Sequence, residues 1–224
     1  MHKTHGTMSR KSMKVIGVLA LQGAFLEHTN HLKRCLAEND YGIKIEIKTV
    51  KTPEDLAQCD ALIIPGGEST SMSLIAQRTG LYPCLYEFVH NPEKVVWGTC
   101  AGLIFLSAQL ENESALVKTL GVLKVDVRRN AFGRQAQSFT QKCDFSNFIP
   151  GCDNFPATFI RAPVIERILD PIAVKSLYEL PVNGKDVVVA ATQNHNILVT
   201  SFHPELADSD TRFHDWFIRQ FVSN

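Results

Sequence analysis

A surplus of charge of either sign is missing from this chain. Lysine and arginine total 23 and aspartate and glutamate total 23, so the formal net charge at pH 7 is zero. That balance supplies none of the positive field that draws proteins to nucleic acid or to anionic membrane surfaces, so neither partner is expected. Long apolar runs are lacking too, and none approaches the roughly 20 residues that cross a bilayer as a helix. No Cys-x-x-Cys pair occurs among Cys35, Cys59, Cys84, Cys100, Cys143 and Cys152, so no metal site is expected. No charged-then-apolar secretory segment opens the sequence. A chain of 224 residues buries roughly 70% of its unfolded surface and needs no disulfide framework. Most of the cysteines therefore read as small buried side chains in a reducing, cytoplasmic compartment. Cys100 needs another explanation.

What is present is an ordinary globular composition, 45% hydrophobic and 21% charged. Residues 1–13 are polar and basic with no apolar period, and read as an N-terminal extension rather than a transit peptide. No repeat or Pro/Gly-rich linker divides residues 14–224, which read as a single domain. Val15 to Leu21 is an almost continuous apolar run, as expected of a strand buried on both faces. Phe25, Leu32 and Leu36 follow at helical spacing. Ile43, Ile45 and Ile47 alternate with charged residues, the pattern of a half-exposed strand. Thr52-Pro53 with Asp55 looks like a helix start. Leu62 to Ile64 and Val95 to Trp97 are further short buried strands. This order predicts an α/β fold with an open, mainly parallel but mixed sheet and helices on both faces. Later runs at 123–128, 187–191 and 197–202 add strands. Phe213, Trp216, Phe217 and Phe221 form an aromatic packing stripe.

Three motifs carry chemistry, each just after a strand-like run. Gly98-Thr99-Cys100-Ala101-Gly102 has the form of a nucleophile elbow, in which glycines permit a sharp turn that lifts the side chain clear of the sheet. A helix beginning after Cys100 places positive dipole near the sulfur. In Phe202-His203-Pro204-Glu205 an extended chain would direct His203 and Glu205 to the same side, a base with its orienting carboxylate. Pro204 keeps His203 out of the helical region. Pro65-Gly66-Gly67-Glu68-Ser69-Thr70 offers freely turning backbone amides for a developing oxyanion. Its simpler interpretation is a turn before a helix starting near Ser71, capped by Ser69 or Thr70. No lysine follows the glycines, so a phosphate loop is disfavoured.

These strings, in this order, resemble the triad-type (class I) glutamine amidotransferases, a flavodoxin-like fold. Gly17-Val18-Leu19-Ala20-Leu21-Gln22-Gly23, Arg129-Asn130-Ala131-Phe132-Gly133-Arg134-Gln135 and Ile160-Arg161-Ala162-Pro163 resemble the branch of glutaminase subunits of pyridoxal 5′-phosphate synthase. The resemblance implies hydrolysis of L-glutamine to L-glutamate and ammonia by a catalytic triad of Cys100, His203 and Glu205, without a cofactor. It implies an oxyanion hole from the amides of Gly67 and Ala101. A glutamine pocket of Gly67, Glu68, Ser69, Arg129, Ile160 and Arg161 is also implied, and so is a (β/α)₈-barrel synthase subunit as partner. Only the resemblance selects Arg129 over its neighbour Arg128.

The chain departs from the family pattern in its extension, in a longer 141–157 loop, and in Ser71-Met72-Ser73, where members often carry basic residues. Competing expectations are the glutaminase of another amidotransferase, such as imidazole glycerol phosphate synthase, a γ-glutamyl hydrolase, or a docking subunit without turnover. The RNAFGRQ and IRAP strings weigh against the first of these, and the intact triad against the last.

Overall fold

The computed structural model describes residues 13–111, 117–133 and 137–224. The expected extension, apart from Met13, lies outside the described residues, as do Arg134 and Gln135. The first strand β1 (Met13–Leu19) leads into helix α1 (Phe25–Glu38), then β2 (Lys44–Val50), α2 (Pro53–Ala57) and β3 (Ala61–Ile64). Helices α3 (Ser69–Arg78) and α4 (Leu81–His90) precede β4 (Val95–Thr99) and α5 (Ala101–Leu106). Strands β5 (Ser107–Glu111) through β12 (Ile197–Thr200) follow, and α6 (Arg212–Phe217) lies near the C-terminus.

The expected start of α2 is present: Thr52 Oγ1 accepts from the Asp55 amide, and the Asp55 carboxylate accepts from the Thr52 amide. Such a reciprocal cap satisfies two backbone donors that a five-residue helix would otherwise leave open. The start of α3 differs from expectation. The helix begins at Ser69 and its cap is Glu68, whose carboxylate accepts from the amides of Thr70 and Ser71. A carboxylate meets the positive end of a helix better than a hydroxyl does, which explains why the acid rather than Ser69 or Thr70 takes the position.

The main sheet runs β2-β1-β3-β4-β12-β11-β9-β6-β5, where β6 is Leu123–Arg128, β9 Val164–Ile168 and β11 Lys185–Gln193. From β2 to β12 every pairing is parallel, and β11 and β9 then alternate direction. The tenth strand, β10 (Val174–Val182), pairs antiparallel with β11 beside this path. Residues 141–157, expected to form a loop, instead include the end of β7 (Ser138–Cys143) and the start of β8 (Phe155–Ile160), an antiparallel pair of their own.

Alternate residues of the central strands enter two separate cores. Val15, Leu62, Ile64 and Val96 pack with α3, α4 and α5 on one face; Ile16, Val18, Ile63 and Trp97 pack with α1 and α6 on the other. Both faces of each strand are thereby dry, as the near-continuous apolar runs require. The C-terminal aromatic stripe, on α6 and the helical turn after it, divides between the core and its edge. Phe213 and Phe217 are fully buried against Trp97, while Trp216 and Phe221 pack at the margin. All six cysteines are free. Burial pushes the thiols of Cys35, Cys59, Cys143 and Cys152 up to about 11, so they are inert at neutral pH.

Gly102 lets α5 sit against the end of β3, because a Cβ there would lie 2.1 Å from the Ile64 carbonyl oxygen. Helix propensity favours alanine by about 1 kcal/mol. A clash with backbone costs more, typically about 1–3 kcal/mol. Gly102→Ala is therefore expected to lower the stability measured by urea unfolding, and an unchanged or raised midpoint would contradict this packing.

Candidate active site

The register of the parallel strands brings three strand ends together. Ile64 lies opposite Gly98, and Thr99 opposite Thr200, so the segments after β3, β4 and β12 leave the sheet side by side. In open α/β sheets ligands bind at this carboxyl edge. A cavity of about 520 Å³ opens there, lined by Gly67, Glu68, Ser69, Cys100 and Ala101 from the first two segments and by His203 from the third. Arg129, Ile160 and Arg161 complete its opposite wall. Every pocket residue expected from the sequence thus lines one cavity, except Glu205, which lies behind His203.

Cys100 occupies a backbone conformation (φ 49°, ψ −103°) that side-chain-bearing residues rarely adopt. Strain of this kind costs about 1–3 kcal/mol and persists only where surrounding bonds over-determine it. Here the Cys100 amide donates to the Thr200 carbonyl at 2.8 Å and its carbonyl accepts from Ile104. The result is a sulfur at the head of α5, facing His203 and 3.8 Å from the Ile160 carbonyl oxygen.

His203 Nδ1 lies 2.7 Å from Glu205 Oε1. Their approach differs from the expected extended geometry: Pro204–Leu206 is a 3₁₀ turn, with His203 itself non-helical (φ −108°, ψ 87°) just before it. Proline suits the first position of such a turn, and the turn folds the carboxylate back under the imidazole. Burial works against a charge on His203, but hydrogen bonds to Cys100 and Glu205 and the Glu205 charge outweigh it and raise its pKa to about 10. Burial likewise opposes the charge on Glu205, and the surrounding His28 and His203 hold it below the usual carboxylate range. Because Nδ1 faces Glu205, Nε2 is the nitrogen left for the sulfur.

The glycine loop packs directly on this pair. A Cβ on Gly66 would lie 2.3 Å from His203 Cε1, and one on Gly67 (φ 149°) 1.9 Å from Gln22 Oε1. Gln22 Oε1 also accepts from the Glu68 amide at 2.8 Å. Among the described residues the Gly66–Gly67 peptide is held by one long bond, from the Ala24 amide to the Gly66 carbonyl at 3.3 Å.

The two arginines that the sequence leaves equivalent are separated here. Arg128 is spent on Glu166, 3.1 Å away, and on Glu111. Arg129 lies just beyond the end of β6 at the cavity wall, and neither it nor Arg161 has an ion pair among the described residues. Arg161 is also left-handed (φ 44°). Glu68 reaches the wall with its carboxylate already engaged as the cap of α3.

Sequence reasoning missed the cavity residues Ala24, Ile104, Asn130 and Leu206, and missed His28 behind Glu205. The last was discoverable, since His28 falls on the face of α1 marked by Phe25 and Leu32.

With this geometry in place, comparison with known proteins decides the family. Residues 18–223 match the SNO glutamine amidotransferase family. The chain belongs to it. The family chain is 99% identical over 224 residues, the whole of both proteins, to "Pyridoxal 5′-phosphate synthase subunit SNO1" of Saccharomyces cerevisiae. It is 43% identical over 204 residues to "Pyridoxal 5′-phosphate synthase subunit PdxT" of Dehalococcoides mccartyi, covering 91% of this chain and 95% of that one. A crystal structure of a glutamine amidotransferase matches with a TM-score of 0.75 at 38% identity, covering 92% of this chain and 97% of the other. The structure of PurLQS from Thermotoga maritima, at 15% identity and a TM-score of 0.58, shares the fold.

For this SNO-family site a direct titration follows. The His203 imidazole should stay protonated up to about pH 10, followed by NMR of ring-labelled histidine. Cys100→Ala removes one of the interactions that favour the charged ring, so the midpoint should move down. A His203 midpoint near 6.5 in the unmodified protein would contradict the geometry.

Proposed function

We propose that this chain is the glutaminase subunit of pyridoxal 5′-phosphate synthase, hydrolysing L-glutamine to L-glutamate and passing ammonia to a (β/α)₈-barrel synthase subunit. The observation that carries the reading is Cys100, held in a strained turn against a histidine that Glu205 grips at 2.7 Å, inside a cavity with two arginines that have no ion pair among the described residues.

In this reading His203 Nε2 already holds the proton drawn from Cys100 at neutral pH, and the thiolate so formed attacks the side-chain amide carbon of glutamine. The amides of Gly67 and Ala101 stabilise the oxyanion, and His203 returns its proton to the leaving ammonia. Water, deprotonated by His203, then cleaves the thioester. Arg129 and Arg161 offer guanidinium groups to the α-carboxylate, a pairing that favours arginine over lysine. Glu68 fixes the turn that presents Gly67 and Ser69, and Ile160 closes the wall. No cofactor enters any step. The zero net charge and inert buried thiols suit a cytosolic protein, and no helix among the described residues is long and apolar enough to cross a membrane.

Ammonia released to water at neutral pH is protonated and lost as a nucleophile, so a glutaminase of this kind gains from a docked consumer. The weakly held Gly66–Gly67 peptide is the proposed switch, since glycines change peptide orientation at little steric cost. One oxyanion donor is worth about 2.7–4 kcal/mol. Titrating the chain with its synthase should therefore raise glutamate formation roughly a hundredfold. A rate already maximal without the partner would rule out the switch.

Cys100→Ala should abolish ammonia release from glutamine while the fold and partner binding persist. Glu205→Gln should be slower than wild type but faster than His203→Ala, because Glu205 orients the base and does not carry the proton. Substantial turnover by Cys100→Ala would remove this cysteine from the mechanism. The reverse ranking of the other two would overturn their roles.

A further inference from the structure

Behind the triad lies a second chain of buried histidines. His28 and His214 are both 0% exposed. His28 Nε2 is 3.2 Å from Glu205 Oε2 and 3.3 Å from Thr99 Oγ1, and His28 Nδ1 is 2.9 Å from His214 Nε2. Trp97 walls the group in, its ring 5.4 Å from His28 and 4.9 Å from His214. His31 lies against the far side of His214, with ring centroids 4.8 Å apart, and its Nδ1 faces the Glu27 carbonyl.

The partners of these nitrogens fix where the protons sit. Glu205 is ionised and can only accept, so the His28 nitrogen facing it must carry hydrogen; a lone pair there would oppose a full negative charge in a dry site. The Nε2 hydrogen bonds to Thr99 Oγ1, while Glu205 Oε2, 3.2 Å from the same nitrogen, has no hydrogen-bond partner among the described residues, so the positive N–H edge of His28 is what faces this buried oxygen. Burial keeps His28 neutral, with its pKa lowered to about 4, so Nδ1 is a bare acceptor and His214 Nε2 must donate to it. His214 Nδ1 is then also bare, in keeping with its having no partner among the described residues. The opposite tautomers would set a lone pair against Glu205 and bury an orphan N–H, the costlier of the two defects.

We infer that His28, its tautomer locked by His214, is a positioning residue that holds Glu205 from behind and so orients His203 toward Cys100. A neutral donor serves here better than a cation would. It sets an N–H dipole 3.2 Å from the second oxygen of Glu205 without competing for the charge, which stays available to His203. His28 does not line the substrate cavity, so its loss acts on the chemical step and not on glutamine binding.

The catalytic part of this inference rests on the glutaminase reading; the proton placement does not. Nitrogen-15 NMR of the full chain at pH 7 should show neutral His28 and His214, each protonated at Nε2. An Nδ1–H form or a charged His28 overturns the inference, whatever the protein's activity. Assayed with the synthase subunit, His28→Leu should lower kcat about ten- to a hundredfold with KM for glutamine unchanged, the effect of removing a group that orients an active histidine. His28→Gln, whose amide N–H can reach Glu205, should recover most of that loss. Wild-type kcat in folded His28→Leu overturns the inference, as does a His28→Gln no faster than His28→Leu. Should His28→Leu not fold, His214→Phe takes its place: it fills the same volume without the donor, and should lower kcat with KM unchanged. Wild-type kcat in that variant overturns the lock. A wild-type complex that releases no ammonia would sink the glutaminase reading and leave the NMR result to stand alone.

Discussion

The contact between Glu205 and His203 is the interaction on which the rest of the site depends. A carboxylate 2% exposed costs several kcal/mol if left unpaired, and the imidazole 2.7 Å away is what makes its burial tolerable. The same pairing, together with the Cys100 contact, raises the basicity of His203. In the proposed mechanism stability and chemistry therefore share one bond, and a chain that loses it leaves a buried charge as well as an idle sulfur. The supports around it follow from that need: Gly66 lies flat against the ring, and the 3₁₀ turn at Pro204 delivers the carboxylate.

Strand order does the remaining work of assembly. The last strand to be made, β12, inserts beside β4, so His203 arrives next to Cys100 from a point in the sequence about a hundred residues away. The parallel register of β3, β4 and β12 is enforced by apolar alternation into two cores. A slip of one residue would exchange those faces. Strain at Cys100 is carried by this frame. The fully buried aromatic cluster of Trp97, Phe202, Phe213 and Phe217 lies directly beneath the site and gives the frame its rigidity.

Much of this was legible in the sequence where local chemistry is decisive. The central strands, the capping box at Thr52 and the cysteine elbow each depend on a few adjacent residues. What escaped depends on distant partners. The hairpin β7–β8 hides in a stretch without strong alternation, and the mixed half of the sheet is set by pairings across many residues. Glu68 displaced the expected serine or threonine cap because a helix terminus rewards charge. Arg128 and Arg129 cannot be told apart until Glu166 is seen beside the first. His28 sat at helical spacing from Phe25 and Leu32, but nothing local marks a buried histidine as the partner of a glutamate far along the chain. Helix α4 carries a readable helical period in Leu81, Leu85, Phe88 and Val89.

The central claim is that the fold converges on one sulfur, Cys100, among six free thiols. Acid-quenching the chain with its synthase during turnover of isotope-labelled glutamine, then mapping the adduct by mass spectrometry, tests it most directly. The account predicts a labelled glutamyl thioester on the peptide containing Cys100 and on no other cysteine. A label on Cys84 or another thiol, or rapid glutamate formation from a Cys100→Ala chain, would contradict it.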